Sequence, residues 1–242
     1  MFSPHEDALP ITPFDTDEIK AARRVLQKRY ADEALDAWLL HRRVSIFFSL
    51  PIAKKTTLHP NIITLLAVLI SIIGIYVLWF DAYPAIVGYA FLLYHIAYFL
   101  DVVDGEVARA RQQRTKLGQW LDRILSYSMD GLSLATAVVV AGRLSEPFLA
   151  SAAVVAFFIR LGTRCGYAEL KPEAETASHV QAPAISNVLV NILRMLSAPS
   201  GLMLFGMLAA YLRAPIYLSI GIALLTLSTV YIALVHSRLI DR

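Results

Sequence analysis

The run Ile62 to Phe80 carries no charge and is long enough to cross a hydrocarbon core of about 30 Å as a helix, which sets aside most soluble folds at once. Ala82 to Leu100 is a second such run and Ile124 to Gly142 a third. Pro147 to Leu161 makes a shorter fourth, Ala184 to Leu212 a long fifth interrupted by Arg194 and Pro199, and Ala214 to Val235 a sixth. With 57% hydrophobic residues and a mean hydropathy of +0.57, the chain reads as an all-α integral membrane protein with six transmembrane helices in one domain over residues 30–242.

Lys and Arg side chains gather on one side of these spans. Nine precede the first, four lie between the second and third, three between the fourth and fifth, and two after the last, together 18 of 22. The positive-inside rule then places both termini in the cytoplasm, in a bacterial or archaeal-type inner membrane. The net charge of +3 follows from this asymmetry and suits anionic headgroups, so nucleic acid is not an expected partner. Residues 1–29 read as a flexible cytoplasmic tail: Met1 to Lys20 is acidic, contains Pro4, Pro10 and Pro13, and lacks the apolar core of a signal peptide. Leu35, Trp38, Leu39 and Ile46 share a helical face beside Arg42 and Arg43. That pattern predicts a juxtamembrane amphipathic helix, lying in the headgroup layer or against the bundle's own cytoplasmic face. Cys165 is alone, so no internal disulfide forms. His95, deep in the second span without another soft ligand nearby, reads as a packed histidine.

Acids beside membrane spans need a reason. Asp101 and Asp104 are three apart at the cytoplasmic end of the second span, and Asp122 lies near the start of the third. If the two helices pack antiparallel, the three carboxylates converge. Their repulsion then calls for a cation, and oxygen-only ligands favour Mg²⁺, Mn²⁺ or Ca²⁺. Gly105, Ala108 and Gly118 remove bulk where a phosphate could approach, and Arg109 offers a planar fork for it. Spacing alone also fits a structural salt network with Arg109 and Arg123. Towards an acceptor, Asn187, Asn191 and Arg194 recur at helical spacing in the fifth span, and Arg160 and Arg164 end the fourth. All five also suit packing or anchoring.

The pattern Asp101-x2-Asp104-Gly105-x2-Ala108-Arg109-x8-Gly118-x3-Asp122 resembles the signature of the CDP-alcohol phosphotransferase family, and His59-Pro60-Asn61-x2-Thr64 resembles that family's first-helix motif. The resemblance implies a membrane transferase of phospholipid-type biosynthesis. It would move a phospho-alcohol (phosphatidyl) group from a CDP-linked donor such as CDP-diacylglycerol to a polar alcohol acceptor, with release of CMP. It implies a homodimer among membrane lipids, Asp101, Asp104 and Asp122 as ligands of two Mg²⁺ (or Mn²⁺) ions, and Gly105, Ala108, Arg109 and Gly118 along the nucleotide. The chain departs at the signature's last aspartate, the metal-binding general base, which is Ser126 here. A serine hydroxyl is a poor base at neutral pH. Asp130, four residues on, lies about 6 Å further along the helix as a tentative substitute. Three function classes stay open: a working transferase, a degenerate member that binds a CDP-linked ligand without turnover, and a transporter using the Asp cluster.

Overall fold

The structure, a computed structural model, describes residues 9–28, 35–174, 192, 195–196 and 198–240. All regular elements among them are helical. Helix α1 (Asp17–Leu26) starts where the Thr16 hydroxyl accepts from the Ile19 amide, with Asp17 and Glu18 in its first turn and Arg23 and Arg24 in its last, as the helix dipole favours. A π-helical turn, Ala37–His41, leads into α2 (Arg42–Lys55). Pro60 opens α3 (Pro60–Val77), and the His59 Nδ1 accepts from the Asn61 amide. Then come α4 (Ala85–Ala110), α5 (Lys116–Arg143), α6 (Pro147–Ala174), α7 (Pro199–Leu212) and α8 (Pro215–Ile240).

Three helices, α3, α4 and α5, are long and apolar enough to cross a membrane, and 147–163 of α6, α7 and 215–231 of α8 are shorter apolar helices. On α3 the inward face mixes Ile63 and Val68 with small or polar residues (Thr64, Ala67, Ser71, Gly74), while the larger apolar Leu65, Leu66, Leu69, Ile72 and Ile73 face outward. Water would penalise that inversion, whereas lipid does not. The interior joining α5, α6, α7 and α8 is rich in alanine, including Ala137, Ala141, Ala153, Ala156, Ala209 and Ala210, which lets helix backbones approach closely.

Two boundaries differ from expectation in ways that matter for the site. Helix α4 continues beyond Leu100 to Ala110, and α5 begins at Lys116 rather than Ile124, so every acid of the motif sits on regular helix. Apolar runs mark the lipid-facing length, not the length of the helix. Likewise α6 runs through Cys165, which is exposed and free, where the sequence suggested a connection.

The expected tail is the larger surprise. Residues 17–26 are helical, and Arg23 is fully buried on an ion pair with Asp15. Its binding partners lie too far along the chain for periodicity to reveal them. In the juxtamembrane segment Trp38, Arg42, Ser45, Ile46 and Ser49 pack inward, while Leu39 of the expected face, with Leu40, Val44 and Phe48, is exposed.

Candidate active site

Helix geometry brings the motif together from two chain segments. Asp101, Asp104, Ala108 and Gly105 follow one another along the last turns of α4, and Asp122 faces them from the first turns of α5. The turn between the two helices is held by Arg111, whose guanidinium donates to the carbonyls of Ile52 (2.6 Å), Ala53 (3.1 Å), Thr56 (2.5 Å) and Leu58 (2.6 Å). One arginine thus ties the α2–α3 link to the end of the signature helix. Helix α5 starts under a Thr115 cap, its Oγ1 accepting from the Gly118 amide at 2.9 Å.

A cavity of about 250 Å³ opens between α3, α4 and α5, and Asn61, Thr64, Asp104, Gly105, Ala108, Arg109, Gly118 and Asp122 line it. All four residues expected along a nucleotide are therefore on its wall. The glycines have definite reasons. A β-carbon on Gly105 would stand 3.3 Å from one terminal nitrogen of Arg109 and 3.5 Å from the other, so the guanidinium rests where a side chain would be. A β-carbon on Gly118 would come within 2.9 Å of Asn61 Oδ1 and 3.2 Å of Thr115 Oγ1. Both glycines line the cavity and leave room for protein groups that shape it.

The carboxylates fit an oxygen-liking cation in part. Asp101 and Asp122 lie within hydrogen-bonding reach of each other with Asp104 beside them, and Asp104 Oδ2 is buried with no hydrogen-bond partner. Two facing carboxyls require a shared proton or a cation, and a buried oxygen without a donor is costly. Among the described residues no group of three or more acidic, histidine or cysteine side chains is placed so that it could hold a metal ion by itself. A hard divalent ion that takes its remaining oxygens from a phosphate-bearing ligand matches such an open set.

On the far side of Asp101 lies a second cavity of about 200 Å³, lined by Tyr94, Tyr98, Asp101, Ser126, Asp130, Arg160 and Ser200 among others. Asp130 is buried and paired with Arg160, the nitrogen standing 3.6 Å from Oδ1. Ser126 and Asp130 thus open onto one space. Of the expected acceptor residues, Arg160 reaches this cavity, Asn187, Asn191 and Arg194 lie outside the described residues, and the Arg164 side chain is likewise outside them. His95 packs on His41 with ring centroids 5.5 Å apart and on Phe91 at 4.5 Å, in keeping with a packed histidine.

Glu106 escaped the sequence reading. It is fully buried on α4, accepting from Ser45 (2.7 Å), Gln27 (2.9 Å) and Arg42 (3.2 Å) at one oxygen and from Ser49 (2.6 Å) at the other. Only its place inside the motif hinted at a role, since its partners come from two distant stretches, Gln27 and α2.

The model of the CDP-alcohol phosphatidyltransferase family matches residues 57–227, far more than half of the chain. The chain belongs to this family. Relatives include three proteins named bifunctional IPC transferase and DIPP synthase. That of Thermococcus kodakarensis is 36% identical over 135 residues, 53% of this chain and 29% of the relative. Those of Aquifex aeolicus and Archaeoglobus fulgidus are 34% identical over 117 residues and 30% over 122, covering 47% and 49% of this chain and 26% and 24% of theirs. The matched region thus spans less than a third of the relatives' length.

Proposed function

We propose that this family member transfers a phospho-alcohol group, in the membrane, from a CDP-linked donor to a hydroxyl acceptor and releases CMP. The observation that carries this reading is the first cavity, where Asn61, Thr64, Gly105, Arg109 and Gly118 surround a buried carboxylate oxygen with no donor of its own. The donor's diphosphate suits that wall, with the Arg109 fork on its oxygens. Asp101, Asp104 and Asp122 would hold Mg²⁺, which when bound neutralises the diphosphate and the charge left on CMP. The acceptor enters the second cavity, its anionic or polar head against Arg160. Its hydroxyl gives its proton to a carboxylate there, for which Asp130 is the candidate, while Ser126 donates or accepts a positioning hydrogen bond. The Arg160 guanidinium, 3.6 Å from Asp130 Oδ1, faces the same cavity.

The same proposal takes α6, α7 and α8 as spans four to six, with cytoplasmic termini and cavities, as the arginine and lysine asymmetry supports. The family resemblance adds a homodimer.

A second reading has its own observation: with Ser126 at the base position, the chain binds the CDP-linked ligand without turnover. The test is CMP release by the purified chain in detergent with Mg²⁺, from CDP-diacylglycerol and smaller CDP-alcohols. Activity lost in Asp130→Asn by about 10²-fold or more supports the transferase with Asp130 as base. An inactive parent chain that binds CMP and gains turnover as Ser126→Asp supports the second reading. A chain that neither binds nor releases CMP defeats both.

A further inference from the structure

The segment 15–28 reaches the signature helix by contacts that neither fold nor motif requires. Arg23, wholly buried, clasps Asp15 with two parallel bonds, Nε to Oδ2 at 2.7 Å and a terminal nitrogen to Oδ1 at 2.9 Å. The same guanidinium donates to the carbonyls of Arg42 at 2.7 Å and Arg43 at 2.9 Å, so α1 is anchored on the start of α2. Gln27 then bridges, its amide donating to the Arg42 carbonyl at 2.7 Å and to Glu106 at 2.9 Å. One residue earlier, the Leu26 carbonyl accepts from Arg109 Nε at 2.6 Å. Two successive positions of this segment, Leu26 and Gln27, therefore meet Arg109 and Glu106.

From this geometry we propose that residues 15–28 form a strap that aims Arg109, with Glu106 as the positioning residue that locks the strap down. The inference rests on the reading that the first cavity takes the CDP-linked donor. A guanidinium is a flat fork on a long flexible stem, so its use for a diphosphate depends on how its plane is set. Here the plane is fixed twice, by the Leu26 carbonyl on Nε and by the bare face of Gly105 beneath the terminal nitrogens. Glu106 shares the α4 turn of both residues and gathers donors from the strap (Gln27) and from α2 (Arg42, Ser45, Ser49). A buried carboxylate with four donors is lost only with the arrangement around it, because an anion left there without them is heavily penalised. The sequence between Gly105 and Arg109 thus carries both the tool and its mount.

The test uses the full chain in detergent and two variants, Gln27→Ala as the mild cut and Glu106→Gln as the charge removal that keeps shape. Phenylglyoxal labelling of Arg109, read by mass spectrometry, reports whether the guanidinium has left its carbonyl without needing a ligand. CMP affinity is measured alongside by calorimetry with Mg²⁺, in the Arg109 and the Arg109→Ala background. Labelling is expected to speed up, and CMP binding to weaken, by about tenfold, as follows from loss of a hydrogen-bonded anchor on a charged group. In the Arg109→Ala background Gln27→Ala then changes CMP affinity by less than about twofold, because groups that act through one another are not additive. Equal weakening in both backgrounds marks general loosening and overturns the proposal. Labelling that stays slow in both variants overturns the strap while leaving the donor reading intact. A parent chain that binds no CMP overturns the donor reading and the strap's service to it, whatever the labelling shows.

Discussion

The two cavities have no lining residue in common and differ in what they keep of the family pattern. The first holds Asp104, Gly105, Ala108, Arg109, Gly118 and Asp122 in place, together with Asn61 and Thr64 from α3. The second holds the departure, Ser126, and answers it with a buried ion pair of Asp130 and Arg160. Six positions of one motif therefore line one cavity, while its first position, Asp101, and its final one, Ser126, line the other. On the proposed reading, holding a diphosphate and accepting a proton are separable tasks, and one could change while the other stays.

The sharpest way to break that contrast is to injure the first cavity at its buried oxygen. Asp104→Asn should cut CMP release more than about 100-fold, beyond what even outer partners of a metal ligand cost. It should also weaken CMP binding in calorimetry, whereas Asp130→Asn leaves CMP binding nearly unchanged. Equal CMP affinity in Asp104→Asn and the parent would mean that the two cavities do not divide the work. Chelation of divalent ions is expected to mimic Asp104→Asn in both assays.

A smaller effect separates the two glycines. Gly118→Ala meets the Asn61 and Thr115 side chains and the frame around the helix start, so it should destabilise the chain by about 1–3 kcal/mol, read as a lower Tm in detergent. Gly105→Ala meets the ends of a flexible arginine at 3.3 Å, which can shift. Its Tm should hardly move while donor KM rises severalfold. If Gly105→Ala lowers Tm as much as Gly118→Ala does, the guanidinium is not the yielding neighbour.

Much of this was legible in advance because membrane spans and helical spacing are local properties. The apolar runs place α3, α4 and α5, and the i, i+3 relation of Asp101 and Asp104 puts both on one face of α4. What was hidden is all long-range. Arg23 looks like a tail residue until Asp15, Arg42 and Arg43 fold around it, and Glu106 looks like a spacer until Gln27, Ser45 and Ser49 turn towards it. Hydropathy also misjudged helix ends, since Lys116 to Arg123 is polar yet continues α5 beyond the apolar run. The polar inner face of α2, with Leu40, Val44 and Phe48 outside, reverses the sense in which amphipathic patterns are ordinarily read.

The smallest expected effect concerns the flank of the second cavity. His41 sits in the π-helical turn before α2, its ring 4.7 Å from that of Tyr98, which lines that cavity. Burial, helped by the nearby charges of His95 and Arg42, pulls its pKa from 6.5 down to about 4. The folded chain therefore keeps this ring neutral where the unfolded chain protonates it. The associated stability is complete above pH 6.5 and is lost as pH falls from there through about 4. Replacing the ring by a group that does not titrate, as in His41→Gln, should flatten the decline of Tm over that window by roughly a few degrees. The same substitution leaves CMP binding unchanged, because His41 does not line the first cavity. A Tm profile as steep in His41→Gln as in the parent would assign the acid sensitivity elsewhere, Asp15 being the next group to try. Burial raises the Asp15 carboxyl, but the hydrogen bonds and charge of Arg23 outweigh it and hold the group below its ordinary value. Its contribution is thus present above the usual aspartate range and lost only in stronger acid, which keeps the two residues distinguishable in one titration.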